Sequence, residues 1–253
     1  TGSYVGLQLY YSNGNSIYGK TATGTIEDGI YANIILDHSE NNLIERMNIN
    51  SADKSGHGII GIESNSNTFN QLYFYRNDIA LSLTESADCV ITNTKFEDNL
   101  EALYLNSIQN AYIQYNEFKD QDSINIQVIN GKLNFIEENT FNSPDFKSIG
   151  LYDCVLIYLR DNNYKDVNYR VIELFNCTEI AIQNQKIEEI GNTGLIYIDE
   201  NSNANLLDRI YADYQILNPT NPNNIAILIE GDNNQILQGI VENATIGVSI
   251  TSS

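Results

Sequence analysis

Residues 93–142 read NTKFEDNLEALYLNSIQNAYIQYNEFKDQDSINIQVINGKLNFIEENTFN, and in them a phenylalanine returns as Phe96, Phe118 and Phe141, at intervals of 22 and 23. Working outward, the same phase holds Phe74 before the stretch and Tyr164 and Ile187 after it. Five positions ahead of each anchor runs a second apolar column, Phe69, Ile91, Ile113, Ile136, Leu159 and Ile182, which Ile44 and its partner Ile49 carry back one further repeat. A third segment of each repeat alternates: Ile60/Ile62, Leu81/Leu83, Leu103/Leu105, Ile126/Val128, Ile149/Leu151, Ile172/Leu174, Ile196/Ile198 and Ile227/Ile229. Period-two alternation in short β-branched and aromatic segments, parted by Asn, Asp, Gly and Ser, specifies strands with tight turns. A repeat this short cannot bury an apolar face alone. Each must stack on the next, with parallel strands about 4.8 Å apart.

The expected fold is therefore all-β: a right-handed single-stranded parallel β-helix, a solenoid of about ten rungs with repeats of 22–23 residues. The whole chain, 1–253, reads as a single domain, with residues 1–30 an irregular first rung or cap. Between Ile198 and Ile227 the interval grows, and residues 217–224, LNPTNPNN, are expected to protrude as a loop because proline cannot sit in a central strand.

Two positions before the anchor stands a polar column of Asn116, Asn139, Asn162 and Gln185, with Thr94 one repeat earlier. Amides stacked at a bend satisfy one another where they turn inward. This column resembles the asparagine ladder of the pectin-lyase-like parallel β-helix superfamily, over roughly residues 31–250. The resemblance implies the fold; the superfamily includes lyases, hydrolases, epimerases, phage tailspikes, adhesins and binding modules, so it implies no one activity.

Composition narrows the partners. Thirty-three acidic residues against 13 basic ones give a net charge of -20, which repels nucleic acid and anionic membranes. The same charge disfavours a polyanionic glycan unless Ca²⁺ or a local basic patch intervenes. No run of about 18 apolar residues suggests membrane insertion, and no basic-then-apolar leader is present. The start at Thr1 reads as a processed or excised chain. Cys89, Cys154 and Cys177 have no metal-ligand spacing; Cys154 and Cys177 are expected to stack on adjacent rungs as free thiols. The sequons at Asn176 and Asn243 matter only in a glycosylating secretory pathway.

A filled β-helix leaves its outward columns for function. Tyr112, Phe135 and Tyr158 fall one above another, beside Gln114, Glu137 and Arg160 and then Tyr115, Glu138 and Asp161. Aromatic faces that stack on sugar rings, flanked by carboxylates, an amide and an arginine, would form a polysaccharide site. The alternative is a subunit interface or a packed surface, with the chain a homo-oligomer. Two positions after the anchor a turn column reads Arg76, Asp98, Asp120, Ser143, Asp166 and Glu189. Asp98, Asp120 and Asp122 are the candidate catalytic acids of an inverting hydrolase, Ca²⁺ is the one cofactor such carboxylates suggest, and the plain reading is a recurrent solvated turn. Gly56-His57-Gly58 is similar to the Gly-His-Gly of polygalacturonases, but the preceding repeat has a lone Asp37 and no Arg-x-Lys follows; His57 reads as a turn residue.

The leading expectation is an extracellular, cell-surface or virion protein, tailspike- or adhesin-like, that recognises a polysaccharide on its flank. The alternatives are a polysaccharide hydrolase or lyase of the same fold, and a structural spacer or filament protomer.

Overall fold

A computed structural model of the chain describes residues 5–19, 22–24, 31–51, 54–142, 147–190, 194–214, 225–242, 244 and 246–251. Eleven strands of one sheet stack in sequence order among these residues, and a second sheet collects the two shorter strands of each rung. A typical rung runs Glu101–Asn106, Tyr112–Gln114 and Glu117–Lys119, and the next repeats it as Ile124–Ile129, Phe135–Glu137 and Thr140–Asn142. Every ladder is parallel, with Phe96 on Phe118 and Phe118 on Phe141 in register. Within residues 1–30, where described, Val5 pairs with Ala32, Ile17 with Ile44 and Ala22 with Ile49.

The anchor column is the spine of the core. Phe74, Phe96, Phe118, Phe141 and Tyr164 are fully buried, and successive rings stack at 5.1, 4.9, 4.8 and 4.7 Å. Those centroid spacings match one rung, so sheet geometry and ring stacking favour the same register.

The polar column forms as expected. Asn116 Nδ2 donates to Asn139 Oδ1 at 3.1 Å, Asn139 Nδ2 to Asn162 Oδ1 at 3.1 Å, and Asn162 Nδ2 to Gln185 Oε1 at 3.3 Å. Each bend is closed by a left-handed residue just before the polar column: Asn93, Tyr115, Glu138 and Asp161, ahead of Thr94, Asn116, Asn139 and Asn162, have φ of 50–59°. That conformation costs a non-glycine residue about 1–2 kcal/mol, which the buried hydrogen bonds offset. A second ladder went unread in the sequence: Asn77 donates to Asn99 at 2.9 Å and Asn99 to Gln121 at 3.1 Å.

One register differs from expectation. Leu81 pairs with Ile59 and Leu83 with Gly61, so Ile59 and Gly61, not Ile60 and Ile62, hold the inward positions. Ile62 is 39% exposed. The run GIIGI leaves the phase ambiguous, and a slip of one residue exchanges the faces. Gly61 fits because a Cβ there would lie 2.7 Å from Leu83 Cδ2. The three cysteines are buried free thiols, with Cys154 and Cys177 donating to Val128 O and Leu151 O of the preceding rung. Residues 217–224, Ser143 and Asn243 lie outside the described residues, as does the side chain of Glu189.

Candidate functional site

The expected flank assembles in register, Tyr112 on Phe135 on Tyr158. Its rings, however, are occupied with one another: centroids lie 4.8 and 5.1 Å apart with planes within 6° and 9°. Parallel rings that close are stacked rather than side by side, so their faces cover each other and their edges point outward. The Arg160 guanidinium sits 4.6 Å from the Tyr158 ring centre. The neighbouring polar groups are likewise paired among themselves: Gln114 donates to Glu137 at 3.1 Å, Arg160 lies 3.5 Å from Glu137 and donates to Gln183 at 3.2 Å, and Tyr115 OH donates to Glu138 at 3.0 Å. That last bond raises the Tyr115 pKa. Asp161 takes the same left-handed bend one rung on. Sugar stacking on the ring faces is thus not what this geometry offers.

In the acidic turn column Arg76, Asp98, Asp120 and Asp166 share φ of 53–56°. Lys54 reaches between two candidate acids, with Nζ 2.7 Å from Asp98 Oδ1 and 2.6 Å from Asp122 Oδ2. Burial opposes its charge, yet hydrogen bonds to Asp122 and Asp98 hold its pKa above the usual lysine value. Asp98 and Asp122 are thus ion-paired through one lysine. Arg76 Nε stands 3.6 Å from Asp98, and Lys119 Nζ stands 3.5 Å from Asp120. Among the described residues no group of three or more His, Cys, Asp or Glu is arranged to hold a metal ion.

The long-strand sheet carries a feature that the repeat did not reveal. On its outer face a cavity of about 190 Å³ is lined by Glu101, Ser123, Gln127, Lys147, Tyr152 and Tyr169. One column stacks Glu101, Ile124 and Lys147; the next stacks Tyr104, Gln127, Gly150 and Glu173. Gly150 leaves room for its neighbours, because a Cβ there would lie 3.0 Å from both Tyr152 Cε2 and Ile124 Cδ1. The Tyr152 ring in turn stacks on Phe175 at 5.3 Å.

The charges of this cleft are fixed from beneath. Glu173 points outward, yet its side chain is only 3% exposed, clamped by Lys147 Nζ at 2.5 Å and Arg170 Nη1 at 2.9 Å. Against the opposing effect of burial, Glu173 holds the Lys147 ammonium above its usual pKa. Arg170 lies 4.6 Å from the Tyr197 ring, whose hydroxyl donates to Glu230 at 2.6 Å. Burial and then that carboxylate push Tyr197 up to about 12. At the other end, burial and then the nearby Asp78 charge raise the pKa of Glu101. His57 lies at the start of a strand rather than in a turn, with Nδ1 3.9 Å from Asp78 Oδ2. Burial lowers its pKa. Gly58 has a packing role, since a Cβ would strike Ala80 O and sit 2.8 Å from the Phe74 ring.

The chain matches the family described as "Right handed beta helix region" over residues 23–144 and 57–210. No curated protein matches. Among solved structures, a mutant of DFA-IIIase from Arthrobacter chlorophenolicus A6 in complex with DFA-III is 14% identical, with a TM-score of 0.61 over 88% of this chain and 61% of that one. The enzymatically active domain of bacteriophage CBA120 tailspike protein 2 is 12% identical, with a TM-score of 0.58 over 90% and 47%. The Family 28 exopolygalacturonase of Yersinia enterocolitica is 11% identical, with a TM-score of 0.55 over 87% and 46%. The likeness is one of fold, and the chain spans less than two thirds of each of these neighbours.

Proposed function

The chain belongs to the right-handed β-helix family, and we propose that it recognises a carbohydrate chain at a cell or virion surface, binding it in the cleft of the long-strand sheet. The observation that carries the reading is the cleft itself: a cavity on a rigid sheet where Gln127, Lys147 and Tyr152 present an amide, an ammonium and a phenol over the apolar Ile124. Its volume is about 190 Å³. Convergent polar groups above an apolar floor are what small-ligand sites use to fix orientation. Lys147 and Arg170 are both ion-paired with the buried Glu173, so the site favours a neutral sugar over an acidic one. Structural neighbours that include an exopolygalacturonase and a tailspike's enzymatically active domain support the carbohydrate class.

Retention of the purified chain on a panel of neutral and acidic oligosaccharides tests the proposal. Lys147→Ala and Gln127→Ala should each weaken retention about tenfold or more, the effect of losing one hydrogen bond to a charged or buried group. Tyr158→Ala on the flank should change it less than threefold. The reverse pattern would move the site to the flank, and no retention of any glycan would remove the reading.

A further inference from the structure

Two further cavities abut at the corner where the long strands end. One, of about 460 Å³, has Tyr11, His38, Glu40, Glu63, Asn65 and Glu85 in its wall. The other, of about 320 Å³, takes up at Asn65 and Glu85 and runs on to Ser107 and Gln109. Tyr10, Asp37, Ile62, Thr84 and Asn106 end their strands in register, so the residues that follow, Tyr11, His38, Glu63, Glu85 and Ser107, form one column with one residue per rung. At about 4.8 Å per rung that column is roughly 19 Å long. The two cavities are thus one groove along the stack axis, and it shares no lining residue with the cleft of Gln127 and Lys147.

The groove differs from the rest of the surface in its charge. Elsewhere the acids are matched: Asp98 and Asp122 by Lys54, Glu97 by Lys95 and Lys119, Glu173 by Lys147 and Arg170. No described lysine or arginine pairs with Glu40, Glu63 or Glu85; the one cationic partner among the described ion pairs is His38, bonded to Asp37 and, at 3.2 Å, to Glu63. Even with His38 protonated the groove stays anionic, and the Glu63 side chain is 51% exposed to an incoming group. Among the described residues no three such groups converge as metal ligands, so the charge complements an organic cation.

The remaining lining selects the kind of cation. Tyr11 is 62% exposed, and its ring is braced on His38 at 4.7 Å, a flat wall that suits a sugar ring or an ammonium group. Ser107 and Gln109 add a hydroxyl and an amide at the other end. The backbone offers nothing to a peptide strand: the N–H groups of Tyr11, His38, Glu63 and Glu85 donate to carbonyls of the next rung at 2.9–3.0 Å. Strand addition needs a free edge, so recognition here falls to side chains.

We propose that this groove binds a linear glycan bearing free amines, an oligomer of an unacetylated amino sugar, laid along the stack axis. Its ammonium groups meet Glu63 and Glu85, and its hydroxyls meet Ser107 and Gln109. The site is additional to the cleft and takes the opposite kind of ligand from an acidic glycan.

Isothermal titration calorimetry at about pH 6 compares a glucosamine tetramer with its N-acetylated counterpart, equal in length but uncharged. The amine tetramer should bind at least tenfold more tightly. Glu63→Gln combined with Glu85→Gln should weaken it about tenfold, the worth of two exposed ion pairs. Glu179→Gln combined with Glu200→Gln removes the same charge from exposed positions outside the groove and should change it less than twofold, as should Lys147→Ala in the cleft. Carbodiimide coupling, which joins an amine to a carboxylate in contact with it, should place the adduct on Glu40, Glu63 or Glu85 by peptide mass mapping. Equal binding of the two tetramers, an equal loss in the control pair, or adducts spread over other acids would overturn the proposal. Tetralysine bound as tightly as the amine tetramer would overturn its glycan class, and a loss on Lys147→Ala would assign the ligand to the cleft instead.

Discussion

Asn139 is bonded both up and down the stack: its Oδ1 accepts from Asn116 Nδ2 at 3.1 Å while its own Nδ2 donates to Asn162 Oδ1 at 3.1 Å. It also donates to Ile113 O at 2.8 Å and accepts from the Asn116 backbone N–H at 3.0 Å. Removing this one amide strands buried partners on both sides. Asn139→Ala should destabilise the fold by about 2–4 kcal/mol, measured by equilibrium urea unfolding. A loss under 0.5 kcal/mol would show that water replaces the ladder.

The two aromatic stacks make opposite demands although their geometry is nearly the same. Phe118 is fully buried in the spine, so Phe118→Ala should cost about 3–5 kcal/mol. Phe135 is half-buried on the flank, and Phe135→Ala should cost about 1 kcal/mol, mostly lost stacking. Thermal unfolding of the two variants side by side checks the contrast.

Glu97 is the acid whose titration should be most visible. Lys95 lies 2.8 Å away, Lys119 3.1 Å away and Tyr73 OH 2.9 Å away, and these contacts, Lys95 foremost, lower its pKa to about 2. A depressed carboxylate contributes stability above its unfolded value that is lost as pH falls through the folded one. The wild type should therefore lose stability between about pH 4.5 and pH 2, and Glu97→Gln should flatten that limb. On the alkaline side, burial and then the bond to Glu97 push Tyr73 up to about 12.

His38 should act with the opposite sign. Its Nδ1 lies 2.5 Å from Asp37, its Nε2 3.2 Å from Glu63, and its ring stacks on Tyr11 at 4.7 Å, so it joins three successive rungs. The Asp37 bond raises its pKa. A raised histidine stabilises below its unfolded value, and the benefit is lost as pH rises through the folded one. Amide-exchange protection near Tyr11, taken relative to the intrinsic rate at each pH, should fall above neutral pH in wild type and lose that dependence in His38→Gln.

Gly58 offers a test of packing against sequence likeness. If it is present because Phe74 fills the space beside it, Gly58→Ala should cost at least about 2 kcal/mol from overpacking. His57→Gln should leave stability nearly unchanged. Denaturant midpoints for the two separate the roles within one tripeptide.

The difference between what was and was not legible has a physical origin. The columns of Phe96 and Ile91 and the amides of Asn116 could be read because one residue type returns wherever one contact returns. Ile60 misled because four apolar neighbours carry no phase, and the Asn77–Asn99–Gln121 ladder, though periodic, sits beside a turn whose aspartates drew the reading. Lys54 reaches Asp98 and Asp122 across rungs, a contact that no local pattern encodes. The cleft escaped for the same reason: Glu101, Gln127, Lys147 and Tyr152 are unlike residues at unlike positions, united only by register and by the gap at Gly150.

The most direct measurement is a crystal structure of the chain bound to the best-retained oligosaccharide. The account predicts a sugar ring over Ile124 with hydroxyls in hydrogen-bond reach of Gln127, Lys147 and Tyr152. A glycan lying instead along Tyr112, Phe135 and Tyr158, with the cleft empty, would contradict it.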